Sequence, residues 1–528
     1  MRLACNPCRG KGIEPPSGAG AEEADVTGRA INAPRQGSTT DFLLAAGSPD
    51  APAVVEAKRV VTYGQLRADV ARILAALDAR GVAPGSRIAI LAENSAFWVA
   101  AYLAALHGHV AVPFSTKLPA AEVTRLADWV GCAAVLMDAR HERSYGDSFG
   151  DRPRVTESDL ADATAPAWPD AEVDLDQDAA LMFTSGTTAS PKAVRITHRN
   201  LQANTASIVE YLGLREDDRM LVVLPFFYCY GASLLHTHLR VGGSLALCNT
   251  FTFPETALQM VERERCTGLA GVPSTYQLLL RASSFGTRQF PSLRHLQQAG
   301  GKLPPVLIEE LVAAQPQARV YVMYGQTEAT ARLSYLPPDL LGSKLGSIGR
   351  GIPGVSLTVV DEHGHPVPPG TTGEIVAVGE NISPGYLNDA AATREKFADG
   401  RLRTGDLAVV DSDGFIFIVD RLADFIKSWG NRVSSQEVEG AALRLTDLVS
   451  AAAVGVPDPD AGEAIVLVAV RRRGSTLSEE DIAAHLRATV AKHMVPSSIR
   501  LVDALPLNEN GKLAKARIRD MVSEGGDR

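Results

Sequence analysis

Nine consecutive residues, Thr184-Ser185-Gly186-Thr187-Thr188-Ala189-Ser190-Pro191-Lys192, bring five hydroxyls, a glycine and a lysine together directly after the apolar run Ala179 to Phe183. Backbone N–H groups, side-chain hydroxyls and one cation at the end of a strand make a cradle for phosphate oxygens, although the spacing is not that of a Walker loop. A Ser/Thr-rich surface turn would need neither the strand before it nor the lysine after it. A second run, Arg319 to Tyr324, enters Gly325-Gln326-Thr327-Glu328, and ligands of open α/β sheets collect at the carboxyl ends of strands. Asp406 follows Thr404-Gly405, and Lys512 follows Asn508, Asn510 and Gly511 near the end of the chain. Taken singly, these last features are common. Gly-Asp marks many turns, Gly-Lys is usually a solvated charge, Tyr324 could be a rim aromatic, and Arg421 could form a surface ion pair.

The elements that must carry these groups are legible from periodicity. Leu66, Val70, Ile73, Leu74 and Leu77 fall at helical spacing, Gly81 stops that helix, and Arg87 to Leu91 reads as a short buried strand. Pro304 stands where a helix begins, ahead of Leu307, Ile308, Leu311 and Val312. Alternating strands and helices predict a mostly parallel sheet with helices on both faces. From about Val355 the pattern turns to strands and turns: Ser356 to Asp361, Glu374 to Val378, and a hairpin joining Leu407–Val410 to Phe415–Val419 through Asp413-Gly414. After Asp420 a fresh α+β unit starts, with a capping box expected at Ser434 and Glu437, strands over Ala451–Val456 and Ile465–Val470, and a helix opened by Ser478 with Asp481. The expected division is a disordered extension over 1–40, a large α/β N-terminal domain over 41–420 with two αβ subdomains and a β-rich one, and a small mobile C-terminal α+β domain over 421–528. Cys5 and Cys8 form a CxxC in the extension, without the further ligands of a zinc site or the strand–helix setting of a redox site.

Composition narrows the class of partner. With 528 residues the length prior is three or four folding units. Lys plus Arg number 52 against 61 Asp plus Glu, a net charge of −9, so there is no electrostatic footprint for nucleic acid. Six cysteines in so long a chain argue against a disulfide framework and for reducing, cytoplasmic surroundings. The most apolar stretch, Phe97 to Phe114, is too short and too interrupted by His107, Gly108 and His109 to span a bilayer, and no secretory leader is expected. A small-molecule partner fits best.

In order and spacing, these motifs resemble those of the adenylate-forming superfamily, which includes acyl-CoA synthetases, peptide-synthetase adenylation domains and beetle luciferases. Thr184 to Lys192 is similar to its signature loop. Tyr324-Gly325-Gln326-Thr327-Glu328, Gly373-Glu374-Ile375 with Gly385-Tyr386, Thr404-Gly405-Asp406, Asp420-Arg421 with Ile426-Lys427 and Gly430, and Asn510-Gly511-Lys512 follow in the family's order. The resemblance, over about 50 to 516, implies a large N-terminal domain and a mobile cap, and a two-step reaction. A carboxylate attacks the α-phosphate of ATP to give acyl-AMP and pyrophosphate, and a thiol, of coenzyme A or of a carrier protein's phosphopantetheine, then takes the acyl group.

The resemblance assigns Thr184, Ser185, Gly186, Thr187, Thr188 and Lys192 to the ATP phosphates, Tyr324 to adenine stacking, Asp406 to the ribose hydroxyls, and Arg421 to holding the nucleotide. Gly300, Gly301, Gly325 and Thr327 complete the nucleotide site, Glu328 is the Mg2+ ligand, and Lys512 reaches from the cap into the site. Lys512, Thr184 and Glu328 are the catalytic candidates. The acid pocket falls between Pro225 and Thr330, with Tyr228, Ser274, Gly300, Gly301 and Gly325 as candidate lining. The segment Leu224-Pro225-Phe226-Phe227-Tyr228-Cys229-Tyr230-Gly231 carries no acidic residue to pair with an amine, which argues against α-amino acids. Aryl, fatty, dicarboxylic and terpenoid acids all remain open. The thiol would enter beside the hinge residues Ala423, Lys427 and Gly430.

Four positions depart from the family pattern: Ala189, Tyr228, Ala423 and Lys515. An acyl-AMP ligase dedicated to a carrier protein, a luciferase-like oxidase and a degenerate nucleotide-binding scaffold are the competing readings. Two generic motifs, Gly146-Asp147-Ser148-Phe149-Gly150 and Gly349-Arg350-Gly351-Ile352-Pro353-Gly354, lack the strand before or the helix after that a nucleophile elbow or a dinucleotide site requires.

Overall fold

The structure is a computed structural model describing residues 37–161, 164–184, 192–251, 253–421 and 425–524. Two large sheets dominate the N-terminal part. In the seven-stranded sheet, Val110–Pro113, Arg87–Leu91, Cys132–Met137 and Arg154–Thr156 run parallel, and Asp178–Phe183 joins them parallel to Val110–Pro113. Ala193–Thr197 and Gly385–Tyr386 add antiparallel at one edge. In the nine-stranded sheet, the six strands Arg319–Tyr324, His295–Gln298, Gly268–Gly271, Arg219–Val222, Ser244–Leu247 and Pro52–Val55 are parallel neighbours, and antiparallel strands close both edges. A four-stranded antiparallel sheet, Val355–Val360, Thr372–Gly379, Leu402–Val410 and Ile416–Arg421, follows. A separate five-stranded sheet with helices belongs to the C-terminal part. The large α/β domain with its β-rich portion and the small α+β domain are thus as the sequence reading expected.

The helix Ala96–Gly108 explains the most apolar stretch of the chain. It is buried on all sides, with Trp98 stacked on Tyr102 at 4.9 Å and tilted against Phe226 at 5.1 Å. A helix apolar all round belongs in the centre of a large core, and among the described residues no helix is long and apolar enough to cross a membrane.

The helix Glu479–Thr489 has the expected capping box at Ser478 and Asp481. The one at Ser434 and Glu437 does not form: Ser434 stands at the N-cap of the helix Ser435–Ala442, but its side chain makes no cap hydrogen bond. The first turn of Ser435–Ala442 is held by Lys515 instead, which donates to Ser435 Oγ at 2.5 Å and pairs with Glu439 at 2.9 Å. Ordered structure also begins before residue 41: Ser38 caps the helix Thr39–Leu44, and Thr39 Oγ1 lies 2.8 Å from His198 Nδ1. Cys5 and Cys8 lie outside the described residues.

Three buried histidines make stability pH-dependent. Burial lowers His198 and His295 to about 4 and His236 to about 3, against 6.5 when exposed. Below about 6.5 the unfolded chain therefore takes up protons that the folded chain refuses, so folding stability falls with pH. Each histidine contributes about 1.4 kcal/mol per pH unit in that window. The urea midpoint is expected to drop steadily between pH 7.5 and 5.5, less steeply in His236→Gln. A flat profile would refute the burial of these rings as neutral groups.

Candidate active site

Three distant parts of the chain meet around Gly300. Asn508 to Lys512 form a tight turn in which the Lys512 N–H donates to Asn508 Oδ1 at 3.0 Å and Gly511 sits at φ +77°. Ser274 Oγ donates to the Gly511 carbonyl at 2.5 Å, clipping this turn to the N-terminal body. Lys512 Nζ then lies 5.3 Å from the centre of the Tyr228 ring. Gly300 has φ +85°, and a Cβ there would fall 2.9 Å from Val272 Cγ1, 3.3 Å from Lys512 Cε and 3.4 Å from Tyr228 Oη. Only glycine keeps this cleft open. Tyr228 enters from the start of the helix Cys229–Arg240, with Phe226 and Tyr230 buried on either side of it in sequence.

The loop after Arg319–Tyr324 closes the other wall. At Gly325 a Cβ would lie 1.9 Å from the Ala331 carbonyl, so a side chain there is excluded by the backbone itself. The close turn continues through Thr330 at φ +63° and Ala331 at φ +154°, and is tied down by Thr330 Oγ1 donating to the Asn381 carbonyl at 2.7 Å. Thr327 Oγ1 donates to Cys229 Sγ at 3.4 Å. Tyr324 donates its hydroxyl to Asp406 Oδ2 at 2.5 Å, in a buried pair that joins the parallel sheet to the β-rich one. Arg421 stands opposite Asp406 in the strand register.

Glu328 and Lys192 share Tyr386 as a neighbour. Tyr386 donates its hydroxyl to Glu328 Oε1 at 2.7 Å, and Lys192 Nζ sits 4.8 Å from the Tyr386 ring centre. Burial, and then the neighbouring Glu328 charge, push the Tyr386 hydroxyl far above the usual phenol range, so it stays a donor. Thr184 and Lys192 close the base of the loop, the Thr184 N–H donating to the Lys192 carbonyl at 3.1 Å. Ser185, Gly186, Thr187, Thr188 and Ala189 lie outside the described residues, as does Ala423.

Among the described residues there is no cluster of three or more metal-ligating side chains. The lone Glu328 carboxylate fits a cation that takes most of its ligands from phosphate and water. Removing the hydrogen bond that orients that carboxylate has a predictable size. Tyr386→Phe should lower kcat/KM for Mg·ATP about 10–100-fold, the value of a hydrogen bond to a charged group, with an almost unchanged melting temperature. An unaltered kcat/KM would show that Glu328 needs no such partner.

Not all candidates converge. Ser274 spends its hydroxyl on Gly511, and Gly301 packs against Pro273 and accepts from Gln298 Nε2 at 2.7 Å. Lys427 and Gly430 lie in an exposed hairpin of the C-terminal sheet, beside the exposed Trp429, and the Lys427 N–H donates to Glu463 at 2.6 Å. Tyr386 stood within a quoted motif without a role, and Cys229 and Arg332 carried no signal beyond adjacency to one.

A family model described as AMP-binding enzyme matches residues 44–387, and one described as AMP-binding enzyme C-terminal domain matches 437–512. A feruloyl-CoA synthase of an Amycolatopsis species is 34% identical over 477 residues, covering 89% of this chain and 96% of that protein. The o-succinylbenzoate CoA synthetase of Bacillus subtilis, in complex with the acyl-adenylate intermediate OSB-AMP, is 28% identical with a TM-score of 0.81, over 92% of this chain and 98% of that one. The same enzyme with ATP and magnesium ion gives a TM-score of 0.80 at 28% identity, over 91% of this chain and 99% of that one. Matched along both its large and its small domain, the chain belongs to the AMP-binding enzyme family.

Proposed function

We propose that the chain activates a small, non-amino carboxylic acid in the cleft framed by Tyr228, Gly300, Thr327, Glu328 and Lys512. It is an ATP-dependent, AMP-forming acid–thiol ligase that works with Mg2+ and coenzyme A. In the first step a carboxylate oxygen of the acid attacks the α-phosphorus of ATP, the bond to the β-phosphate oxygen breaks, and pyrophosphate leaves. In the second, the thiol attacks the acyl carbon, loses its proton, and displaces AMP.

The observation that carries this reading is the position of Lys512, held over Tyr228 and against Gly300 by the Ser274–Gly511 clip. An ammonium group there offsets the negative charge that gathers as carboxylate and phosphate approach, in a site where fixed charge needs no reorganisation. Glu328 would hold magnesium, which when bound neutralises phosphate charge. Asp406 and Tyr324 form the nucleoside wall, and Thr184 and Lys192 open the phosphate loop. The exposed Lys427–Gly430 turn would reach this face only after the C-terminal domain, over 421–528, turns about the segment following Asp420, which is how the thiol would gain access. A carrier-protein phosphopantetheine is the alternative acceptor, and the cytosol, where ATP and coenzyme A are available, is the expected compartment.

Exchange of labelled pyrophosphate into ATP, tested across aryl, fatty, dicarboxylic and terpenoid acids, should be acid-dependent. Thioester should then form on coenzyme A. Absence of exchange with every acid would refute adenylation, and acylation of a phosphopantetheinyl carrier alone would reassign the acceptor.

A further inference from the structure

The helix Pro273–Ala282 holds the C-terminal domain near both of its ends. Close to its start, Ser274 Oγ donates to the Gly511 carbonyl at 2.5 Å, and close to its end, Arg281 Nη2 donates to the Leu443 carbonyl at 3.4 Å. Between these points Tyr276 and Leu279 belong to one apolar core with Leu443, Leu448 and Ala451 of the C-terminal domain, and the helix packs along the strand Leu448–Asp458. Seven residues of helix set the two polar contacts about 10 Å apart. One contact alone would leave the domain free to swivel around it. Two fix its direction, and with it the turn that carries Lys512.

The second contact is made to a helix end. Leu443 is the C-cap of the helix Ser435–Ala442. The last carbonyls of a helix lack partners within it and carry the negative end of its dipole, and a basic side chain of the last turn commonly serves them. Here the last turn holds no basic residue. Within its own domain this end is met by His485, whose Nε2 lies 3.0 Å from the Ala441 carbonyl, and the cation comes from the other domain as Arg281.

The two partners of Arg281 belong to different bodies. Its guanidinium is buried and donates to Glu310 Oε1 at 2.6 Å, on the helix Pro305–Ala314 of the N-terminal body. That ion pair lies within one body and survives when the C-terminal domain turns. The Leu443 carbonyl moves away with its domain, and the guanidinium, whose Nε has no partner while the domain is seated, then meets water. An interaction made in only one of two orientations shifts the balance between them by its own strength. We propose that Arg281 is a positioning residue for adenylation: by capping the helix Ser435–Ala442 across the domain boundary it favours the orientation in which Lys512 reaches Tyr228 and Gly300, and its release accompanies the turn that admits the thiol. This rests on the two-step ligase reading and names a residue that sets the balance between the two steps.

The test measures both half-reactions of the intact chain with one acid that the wild type activates. Rapid quench gives acyl-AMP formation, and coenzyme A acylation is followed from the synthetic acyl-AMP of the same acid. Arg281→Met removes the charge and the donors while keeping the length. It should raise the ratio of the second rate to the first by about 10-fold, the value of one hydrogen bond to a charged group. Arg281→Lys keeps the charge and should raise the ratio less, about 3-fold. A merely damaged fold lowers both halves together and leaves the ratio alone, so the ratio reports orientation and not stability. Should Arg281→Met fail to fold, Arg281→Lys decides, together with Glu310→Gln, which leaves the arginine in place but without its anchor and should also raise the ratio about 3-fold. An unchanged or lowered ratio in these variants overturns the proposal while leaving the ligase reading intact. Absence of acyl-AMP formation by the wild type with every acid overturns both.

Discussion

Lys512→Ala is expected to slow adenylation by about 10²–10³-fold, the usual cost of removing one preorganised group that meets developing charge, while thioester formation from supplied acyl-AMP continues close to the wild-type rate. The asymmetry follows from what the side chain does and does not hold. The clip between domains is made by Ser274 and the Gly511 carbonyl, a backbone group that the substitution leaves in place. The substitution removes the contact of Nζ with the Tyr228 ring, at 5.3 Å, and cation–π contacts of this kind are worth about 0.5–2 kcal/mol. The turn itself is closed by Asn508 through backbone donors. Lys515, the next lysine along the chain, is committed to Ser435 and Glu439. Rapid-quench measurement of acyl-AMP, run beside coenzyme A acylation from synthetic acyl-AMP, separates the halves. Equal loss of both would mean that Lys512 organises the whole site and not the first step alone.

Glu328→Gln should reduce the adenylation rate by about 10²-fold or more and raise the Mg2+ concentration needed for half-maximal rate. Magnesium is worth several kcal/mol of charge stabilisation in such reactions, and Glu328 is its proposed ligand, bonded to Tyr386, over whose ring Lys192 lies. Glutamine keeps the shape and can still accept the Tyr386 hydrogen bond, now at 2.7 Å, so a loss reports the charge and not a collapsed loop. The loop is independently braced by Thr330 with Asn381 and by the Ser383 N–H donating to the Glu328 carbonyl at 2.9 Å. The decisive measurement is a magnesium titration at saturating ATP. An unchanged half-saturation point would remove Glu328 from the metal site.

Much of the local structure could be read without coordinates. Arg87–Leu91 and Arg319–Tyr324 are strands at the expected bounds, and the Asp413-Gly414 turn joins the expected hairpin. Gly146–Phe149 proves to be a 3₁₀ turn after a helix, and Arg350–Gly351 a short strand leading into another, so both generic motifs were rightly discounted. Ser434 shows where local reading stops: its capping pattern is intact in sequence, but its side chain makes no cap hydrogen bond, and Lys515, 80 positions from Ser435, donates to that residue at the helix start.

The sequence by itself determined which residue types occupy the catalytic loops, because each loop demands its chemistry within a few positions. Gly325 is needed by a carbonyl six residues away, and the Lys512 turn by Asn508, four residues back. Only the tertiary structure decided which of those loops face one another. Tyr386 meets Glu328 across 58 positions, Tyr324 meets Asp406 across 82, and Ser274 meets Gly511 across 237. Such pairs leave no periodicity in the chain, since they are set by how sheets pack and where strands end. The same holds for Arg332: nothing local distinguishes it from a solvated arginine, and it is buried with its guanidinium over the Tyr230 ring, 102 positions away in the chain.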